Sequence, residues 1–273
     1  MIEYPIQVYI NFTKKCNLKC KHCYSDSSSG NDINIDRLAD VINKIDPIKI
    51  VISGGEPLLV YKKIEKFILL LKNKPVITLI TNGTIYQKDV GIFINRFIDE
   101  LVISLDTLNK NVLNSIRGKV KIEDIFTNIG YLKKVNNNIK INFVLFHENI
   151  KDLEEVIFFA KKNKINKIGI LRQRNIGRSK EVFNLKELES FYRNAAKLSR
   201  SAKIKLEIHD PIINKFKIKG LKNYCYAADK IVSIDTNLNF KPCPLVDFKM
   251  KGNFDRIWNS KVFKSYRNKS RCF

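Results

Sequence analysis

Between residues 7 and 200, apolar β-branched runs of strand length alternate with segments of helical spacing. The runs are rich in Ile and Val and favour buried strands, whereas the segments between them repeat apolar residues every three or four positions. The predicted strands are residues 7–12, 48–53, 76–81, 101–105, 140–146 and 167–171. The predicted helices are residues 35–45, 58–72, 86–98, 122–135, 153–163 and 185–200. This order predicts an α/β fold built from right-handed βαβ units around a parallel sheet.

Six such units are too few to close an eight-unit barrel. We therefore predict a partial (β/α)6 TIM-like barrel over residues 1–210, with its chemistry at the carboxyl ends of the strands. The pattern then changes to a hairpin over residues 231–242 and a short helix over residues 255–268. Residues 211–273 are predicted to form a small hairpin-plus-helix extension.

The segment CNLKCKHCY places Cys16, Cys20 and Cys23 directly after the first predicted strand. Three thiolates at this spacing can hold three irons of a [4Fe–4S] cube and leave the fourth iron open. Structural zinc is the alternative, but zinc takes four ligands, usually from two C-x2-C pairs or paired histidines. His22 is the nearby histidine, and its place between two ligands fits zinc poorly.

Four motifs resemble those of the radical SAM superfamily. The first is C-x3-C-x-Φ-C, with His22 at the position that is aromatic in the family. The others follow successive strands: ISGGEP with Gly54, Gly55 and Glu56, then TNG with Asn82, then SLD with Ser104 and, downstream, Arg117–Gly118. The resemblance covers roughly residues 5–180, and all four motifs fall at predicted strand ends.

The resemblance implies that S-adenosylmethionine (SAM) binds the open iron through its amino and carboxylate groups. Gly54 and Gly55 would let the backbone approach closely, and Glu56 would accept from the ammonium. Ser104 and Arg117 would hold the carboxylate, since a guanidinium suits a planar anion.

Other positions have roles that the resemblance implies less directly. The resemblance implies that His22 also lies at the cofactor-binding site. Asn82 would bond the ribose or hold its turn, and Asp106 would order its loop. Arg174 and Arg178, in the segment ILRQRNIGR, are candidates for cofactor or substrate contact or are solvated loop residues.

A second cysteine group, Cys225, Cys243 and Cys272, lies in the tail. With KPCP and GNFDRIW, it resembles the SPASM/twitch extensions of radical SAM enzymes, which bind auxiliary [4Fe–4S] clusters. Three cysteines imply one auxiliary cluster, whereas three unrelated buried thiols are the structural alternative.

The fourth ligand of this auxiliary cluster is left open by the sequence. Three explanations compete: an iron left open for substrate, a non-cysteine group as the fourth ligand, or a chain that is a truncated relative. His147, His209 and Asp247 are the non-cysteine candidates, and nothing in their spacing selects one.

The formal charge of +23 favours an acidic partner or reflects lysines on solvated helix faces. The lysines are spread along the chain and no RNA-binding motif is present, so nucleic acid is not the expected partner. With no apolar stretch of membrane-spanning length and no secretory signal, we expect a cytoplasmic protein without a membrane partner. The six cysteines then indicate metal ligands rather than disulfides.

The resemblance implies an enzyme that generates a 5′-deoxyadenosyl radical and abstracts a substrate hydrogen atom. A flavodoxin or ferredoxin would supply the electron. Oxidative modification of a ribosomally made peptide, as crosslink or dehydrogenation, is the favoured function. The alternative is dehydrogenation or rearrangement of a small metabolite or cofactor precursor. A non-catalytic iron–sulfur electron carrier is the third hypothesis, although a carrier needs no methionine site.

Overall fold

The computed structural model describes residues 4–180, 182–221, 223 and 225–267. The strands are β1 (Gln7–Thr13), β2 (Lys49–Gly54), β3 (Val76–Thr81), β4 (Glu100–Ser104), β5 (Ile139–Leu145), β6 (Lys167–Arg172), β7 (Lys205–Ile208), β8 (Ile231–Ile234) and β9 (Phe240–Lys241). The helices are α1 (Ile35–Ile45), α2 (Tyr61–Leu69), α3 (Lys88–Phe97), α4 (Lys110–Arg117), α5 (Ile122–Val135), α6 (Leu153–Lys162), α7 (Leu185–Ala202), α8 (Phe254–Trp258) and α9 (Lys261–Lys264).

One sheet contains all of these strands, in the order β7-β6-β5-β4-β3-β2-β1-β8-β9. Strands β1 to β7 pair in parallel with their sequence neighbours, as right-handed βαβ units require. The sheet does not close, because β7 and β9 are its two edges. The predicted class, a parallel α/β fold in a partial TIM-like barrel, is therefore confirmed.

Two elements of the barrel have no counterpart in the sequence prediction. Strand β7 reads KLEI, which is short and half polar, so it carries little strand signal. Helix α4 reads KNVLNSIR and is held at its start by Asn109, whose side chain accepts from the backbone N–H groups of Asn111 and Val112. The six-unit count thus omits one parallel strand.

The tail is joined to the barrel through backbone pairing. Strand β8 pairs in parallel with β1, from Gln7 opposite Ile231 to Ile10 opposite Ile234. Strand β9 returns antiparallel to β8, which is the predicted hairpin. The residues that start the barrel and the residues of the extension therefore share one sheet.

The helix predicted over residues 255–268 is two short helices within the described residues. Asn253 caps α8 by accepting from the N–H of Arg256, and Ser260 caps α9 by accepting from the N–H of Phe263. Helix α8 therefore ends at Trp258, and the second helix, α9, begins after Ser260. Trp258 and Phe263 are buried in the core, as their helical spacing predicts.

The apolar core lies between the sheet and the helices that cover its outer face. Helix α1 shows why: Leu38, Ile42 and Ile45 recur on one face and are all buried. None of the helices in the described ranges is long and apolar enough to cross a membrane.

Candidate active site

A cavity of about 970 Å³ lies inside the open barrel and extends from the carboxyl ends of the strands, at Gly54 and Ser104, to their amino ends, at Lys49 and Glu100. The five cysteines of the described residues all line it: Cys16, Cys20, Cys23, Cys225 and Cys243. Eight residues predicted to contact the cofactor or substrate also line it: His22, Gly54, Gly55, Asn82, Ser104, Arg117, Arg174 and Arg178. The structure thus brings the first cysteine group, Cys225 and Cys243 of the second group, and most of the motifs to one space.

The loop after β1 carries the first three cysteines and is held by backbone hydrogen bonds. Cys16 donates its N–H to the carbonyl of Ser28 at 3.1 Å. The sulfur of Cys16 accepts from the N–H of Leu18 at 3.4 Å, and the sulfur of Cys23 accepts from the N–H of Ser27 at 3.3 Å. Burial raises the pKa of the Cys16 thiol, and the Leu18 N–H acts in the opposite direction.

The turn at Gly177 and Arg178, which follows β6, is hydrogen bonded to this loop and holds it in place. Arg178 donates through Nε to the carbonyl of Cys20 at 2.9 Å and through Nη1 to the carbonyl of Ser27 at 3.0 Å. Its backbone N–H donates to the carbonyl of Cys23 at 3.1 Å. Gly177 has φ +63°, and a Cβ there would lie 2.2 Å from that same carbonyl oxygen. Arg178 therefore positions the cysteine loop.

Gly54 and Gly55 are required by a close approach of two backbone segments. A Cβ on Gly55 would lie 2.0 Å from the carbonyl oxygen of Lys15, and one on Gly54 would lie 2.5 Å from that of Thr13. Gly55 donates its N–H to Thr13 at 2.6 Å, and Glu56 donates to Lys15 at 2.8 Å. The glycine turn thus seats the start of the cysteine loop as well as lining the cavity.

Glu56 does not line the cavity but is fully buried beneath it. Its Oε1 accepts from the Thr81 hydroxyl at 2.8 Å and from the Leu58 N–H at 3.0 Å. Its Oε2 accepts from the Asn82 N–H at 2.8 Å. Burial raises the pKa of Glu56 to about 7, although these three donors act to lower it. The carboxyl group ties the end of β2 to the end of β3.

Asn82 and Ser104 reach the cavity from the ends of β3 and β4. The Asn82 amide holds its own turn, since Oδ1 accepts from the Thr84 N–H at 2.9 Å. Its Nδ2 donates to Oδ1 of Asn17 in the cysteine loop at 2.9 Å. Both predicted roles of Asn82 are thus compatible with its position, because it holds the turn and also faces the cavity.

Arg117 and Asp106 form a buried ion pair next to the cavity. The Nε of Arg117 donates to Oδ2 of Asp106 at 2.7 Å, and Nη2 lies 2.6 Å from the same oxygen. Asp106 also accepts from the Val144 N–H at 2.9 Å, so it orders the loop after β4 as predicted from its position. Burial opposes the charge of Arg117, but Asp106 outweighs it and raises the pKa of the guanidinium.

His22 and Arg174 both line the cavity. The His22 ring meets Phe146 edge-on with centroids 5.1 Å apart, and burial lowers its pKa to about 4, so it is neutral at pH 7. Arg174 donates to Oδ1 of buried Asp210 at 2.8 Å, and Arg172 donates to Oδ2 at 2.6 Å. Asp210 therefore holds Arg174 at the wall.

Comparison with known proteins agrees with this geometry. The model of the Radical SAM superfamily matches residues 10–160, which is more than half of the chain. The chain belongs to the radical SAM superfamily. Members of this superfamily bind a [4Fe–4S] cluster and SAM.

One relative of this radical SAM protein is a "Probable GTP 3′,8-cyclase" from Methanocaldococcus jannaschii. It is 30% identical over 231 residues, which cover 79% of this chain and 71% of the relative. Streptococcus suis SuiB bound to its precursor peptide SuiA has a similar structure, with a TM-score of 0.73 and 16% identity over 97% of this chain and 65% of SuiB. The anSMEcpe structure with bound AdoMet and Kp18Cys peptide gives a TM-score of 0.75 and 15% identity over 96% of this chain and 83% of that one. These two structures show the likeness of the fold.

The residues of this radical SAM protein fit a cluster by their chemistry. Three thiols project from one loop into the cavity, and thiolates are the ligands that iron–sulfur clusters take. Burial raises the pKa of the Cys16 thiol and raises that of Cys20 to about 11. Metal binding would therefore release protons from these thiols, as it does in metal sites generally.

The second cysteine group is only partly within the described structure. Cys225 and Cys243 line the cavity, whereas Cys272 lies outside the described residues. Of the predicted fourth-ligand candidates, His209 lines the cavity; His147 stacks on Phe183 instead, with centroids 4.2 Å apart. Asp247 is exposed away from the lining. Within the described ranges, no three His, Cys, Asp or Glu side chains converge on a point that could hold a single ion.

Sequence reasoning missed several polar residues that line the cavity, both in the cysteine loop and inside the strands. Tyr24 donates to Oδ1 of Asn11 at 2.9 Å and lies 3.1 Å from the hydroxyl of Ser53. Asn142 lies in the middle of β5, within the apolar sequence IKINFVL. A polar residue at an inward position of a buried strand is the signal that could have identified Asn142.

Proposed function

We propose that this chain is a radical SAM enzyme that oxidatively modifies a ribosomally made peptide. The observation that supports this proposal most directly is the shared cavity, because both Cys16–Cys20–Cys23 and the Cys225–Cys243 pair open on it. A substrate in this space would lie between the two cysteine groups. Such a site suits an oxidation, in which a hydrogen atom and an electron leave the substrate in turn.

In this proposal Cys16, Cys20 and Cys23 hold the cluster to which SAM binds. When bound, the reduced cluster supplies an electron that cleaves SAM to methionine and a 5′-deoxyadenosyl radical, which abstracts a substrate hydrogen atom. Ser104 and the Arg117 guanidinium offer donors to an anionic group of the cofactor. We assign Glu56 a positioning role, because it fixes Thr81 and Asn82 rather than facing the cavity.

The tail cysteines are proposed to hold one auxiliary [4Fe–4S] cluster, as in a twitch-like extension. Cys243 follows β9 and Cys225 precedes β8, and β8 pairs with β1. Thiolates at these places would hold iron near the amino end of β8, whereas the first loop leaves the carboxyl end of β1. The electron for the reaction would come from an acidic flavodoxin or ferredoxin, to which a chain of charge +23 is attracted.

A peptide substrate is favoured by the structural likeness to SuiB, which was solved with a precursor peptide and matches 97% of this chain. The second candidate is a small molecule, favoured by the M. jannaschii relative that is named a probable GTP 3′,8-cyclase. Both candidates use the same radical chemistry and differ in what occupies the rest of the cavity.

The test is anaerobic reconstitution with iron and sulfide, followed by reduction in the presence of SAM. Formation of 5′-deoxyadenosine, its loss in Cys16→Ala, and a SAM-dependent change in the EPR spectrum of the reduced cluster are expected. An unchanged EPR spectrum and no 5′-deoxyadenosine would return the chain to the electron-carrier hypothesis.

The substrate class needs a second experiment. The chain is co-expressed with any short peptide that is encoded beside its gene. The mass of each peptide is then measured by mass spectrometry. A loss of two hydrogen atoms from one peptide would support a peptide as the substrate. Unmodified peptides, together with consumption of GTP by the purified enzyme, would support the small-molecule candidate instead.

A further inference from the structure

The inner face of β5 carries two polar side chains below the level of the cysteine loop. Lys140 and Asn142 are 8% and 9% exposed, respectively, and both line the cavity. In the sheet register, Asn142 lies between Ser104 of β4 and Gly169 of β6. Two polar residues on the inner side of an otherwise apolar strand need an explanation, because burying polar groups is costly.

Asn142 has no hydrogen bond that accounts for its burial. Its Oδ1 is buried and finds no partner within the described part of the chain. Buried polar atoms in native proteins are almost always paired, so an exception at a cavity wall points to a ligand. Gly169 makes room for this side chain, since a Cβ on Gly169 would lie 2.4 Å from Asn142 Oδ1.

The groups around Asn142 are charged as well as polar: the cavity lining carries Lys49, Lys140 and Lys205 with the carboxylates of Glu100 and Glu207. Lys140 donates to Oε2 of Glu207 at 3.1 Å, and Lys49 donates to Oε2 of Glu100 at 3.0 Å. The imidazole of His209 lies 3.4 Å from the same missing Cβ of Gly169. Lys205 also lies 3.3 Å from Glu207, so three lysines face two carboxylates and the floor keeps an excess of one positive charge.

We propose that Asn142, Gly169 and His209, flanked by the Lys140–Glu207 pair, form a floor subsite that binds a carboxamide of the substrate. A carboxamide offers both N–H donors and a carbonyl acceptor. It can therefore pair with the Asn142 amide in either orientation of that amide. This inference rests on the proposed function, and it identifies the substrate class as amide-bearing, as a peptide is.

The test uses the reconstituted, SAM-bound chain and a defined probe, N-acetylglutamine methylamide. Its dissociation constant is measured by ligand-observed NMR for the unaltered chain, N142L and N138L. Asn138 is the matched control, because it is exposed, lies outside the cavity and uses its amide on the Asp99 carbonyl at 2.9 Å. We expect N142L to weaken probe binding about tenfold, the effect of one lost hydrogen-bonded contact, and N138L to leave it unchanged.

N142D supplies an isosteric second variant, should leucine disturb the strand. It removes the amide donors while keeping the side chain's shape, and it is expected to weaken probe binding by a similar factor. Thermal unfolding adds a readout, since N142L should not lower Tm if Asn142 serves a ligand rather than the fold.

Three outcomes would overturn the subsite. They are equal probe binding by N142L and the unaltered chain, a lower SAM affinity in N142L with unchanged probe binding, and tight binding of inorganic triphosphate in competition with the probe. The proposed function fails separately, if the unaltered chain makes no 5′-deoxyadenosine. Its failure is thus distinguishable from failure of the subsite.

Discussion

The Nε of Arg178 donates to the carbonyl oxygen of Cys20 at 2.9 Å, which joins the end of β6 to the middle of the cysteine loop. The two residues are 158 positions apart in the chain. A guanidinium can serve several carbonyls at once because its donors form a rigid fork. The loop that carries the first cysteines is thereby braced by a residue outside the cysteine motif.

Replacement of this brace should loosen the cluster site. We expect R178A to lose iron to a chelator several-fold faster than the unaltered chain, and R178K to recover only part of the difference, since an ammonium lacks the fork. Iron release is followed by absorbance under anaerobic conditions. R193A is the control, because Arg193 forms an exposed i,i+4 pair with Glu189. Equal rates for R178A and R193A would contradict the bracing role.

The glycine turn should tolerate no side chain. We expect G55A to lower the free energy of unfolding by about 2 kcal/mol or more, because the new methyl group would overlap the Lys15 carbonyl. G130A is the matched substitution on α5, where a Cβ meets nothing within 4 Å, and it should stabilise the chain by about 0.5–1 kcal/mol. Urea denaturation measures the free energy of unfolding of both variants. A G55A chain as stable as the G130A chain would exclude the close approach of Gly55 to the Lys15 carbonyl.

The free energy of unfolding should depend on pH through the titration of Glu56. Its pKa is raised from 4.5 to about 7 in the folded chain, so between these values the folded state holds more protons than the unfolded state. Stability is then lost as the pH rises from 4.5 through 7. Relative to E56Q, which cannot titrate, the unaltered chain should lose about 2–3 kcal/mol between pH 5 and pH 8. Urea denaturation at several pH values tests this, and parallel curves for the two chains would refute it.

The iron content tests the tail cysteines. If an auxiliary cluster is present, the reconstituted chain should hold about eight irons. C243S should then hold about four and still form 5′-deoxyadenosine from SAM, because Cys16, Cys20 and Cys23 are intact. Iron and product are measured on the same sample. About four irons in the unaltered chain would remove the auxiliary cluster from the proposal.

The regular elements follow closely from local patterns. Strand β3 and helices α1 and α5 have the predicted bounds, because their apolar periodicity is strong and their ends are polar. Strand β7 and helix α4 were missed, since both are short and polar and are stabilised by neighbours distant in sequence. Pairing with β6 is what makes KLEI a strand.

The candidate site also contains residues that local sequence could predict and residues that it could not. The spacing of Cys16, Cys20 and Cys23 was visible in sequence because one short loop carries all three. The roles of Glu56 and Arg178 were not, because they depend on which backbone groups lie near them after folding. The glycine motif was read as an approach to the cofactor, whereas its tightest contacts are with residues 13–15 of the same chain.

The parallel pairing of β8 with β1 has a consequence for the solubility of the chain. With β8 in place, β1 is an inner strand of the sheet. A chain cut before β8 would turn β1 into an edge whose unpaired N–H and C=O groups invite pairing with another molecule. The extension therefore also acts as a guard against edge-to-edge aggregation, and a shortened tail would have to keep this one strand.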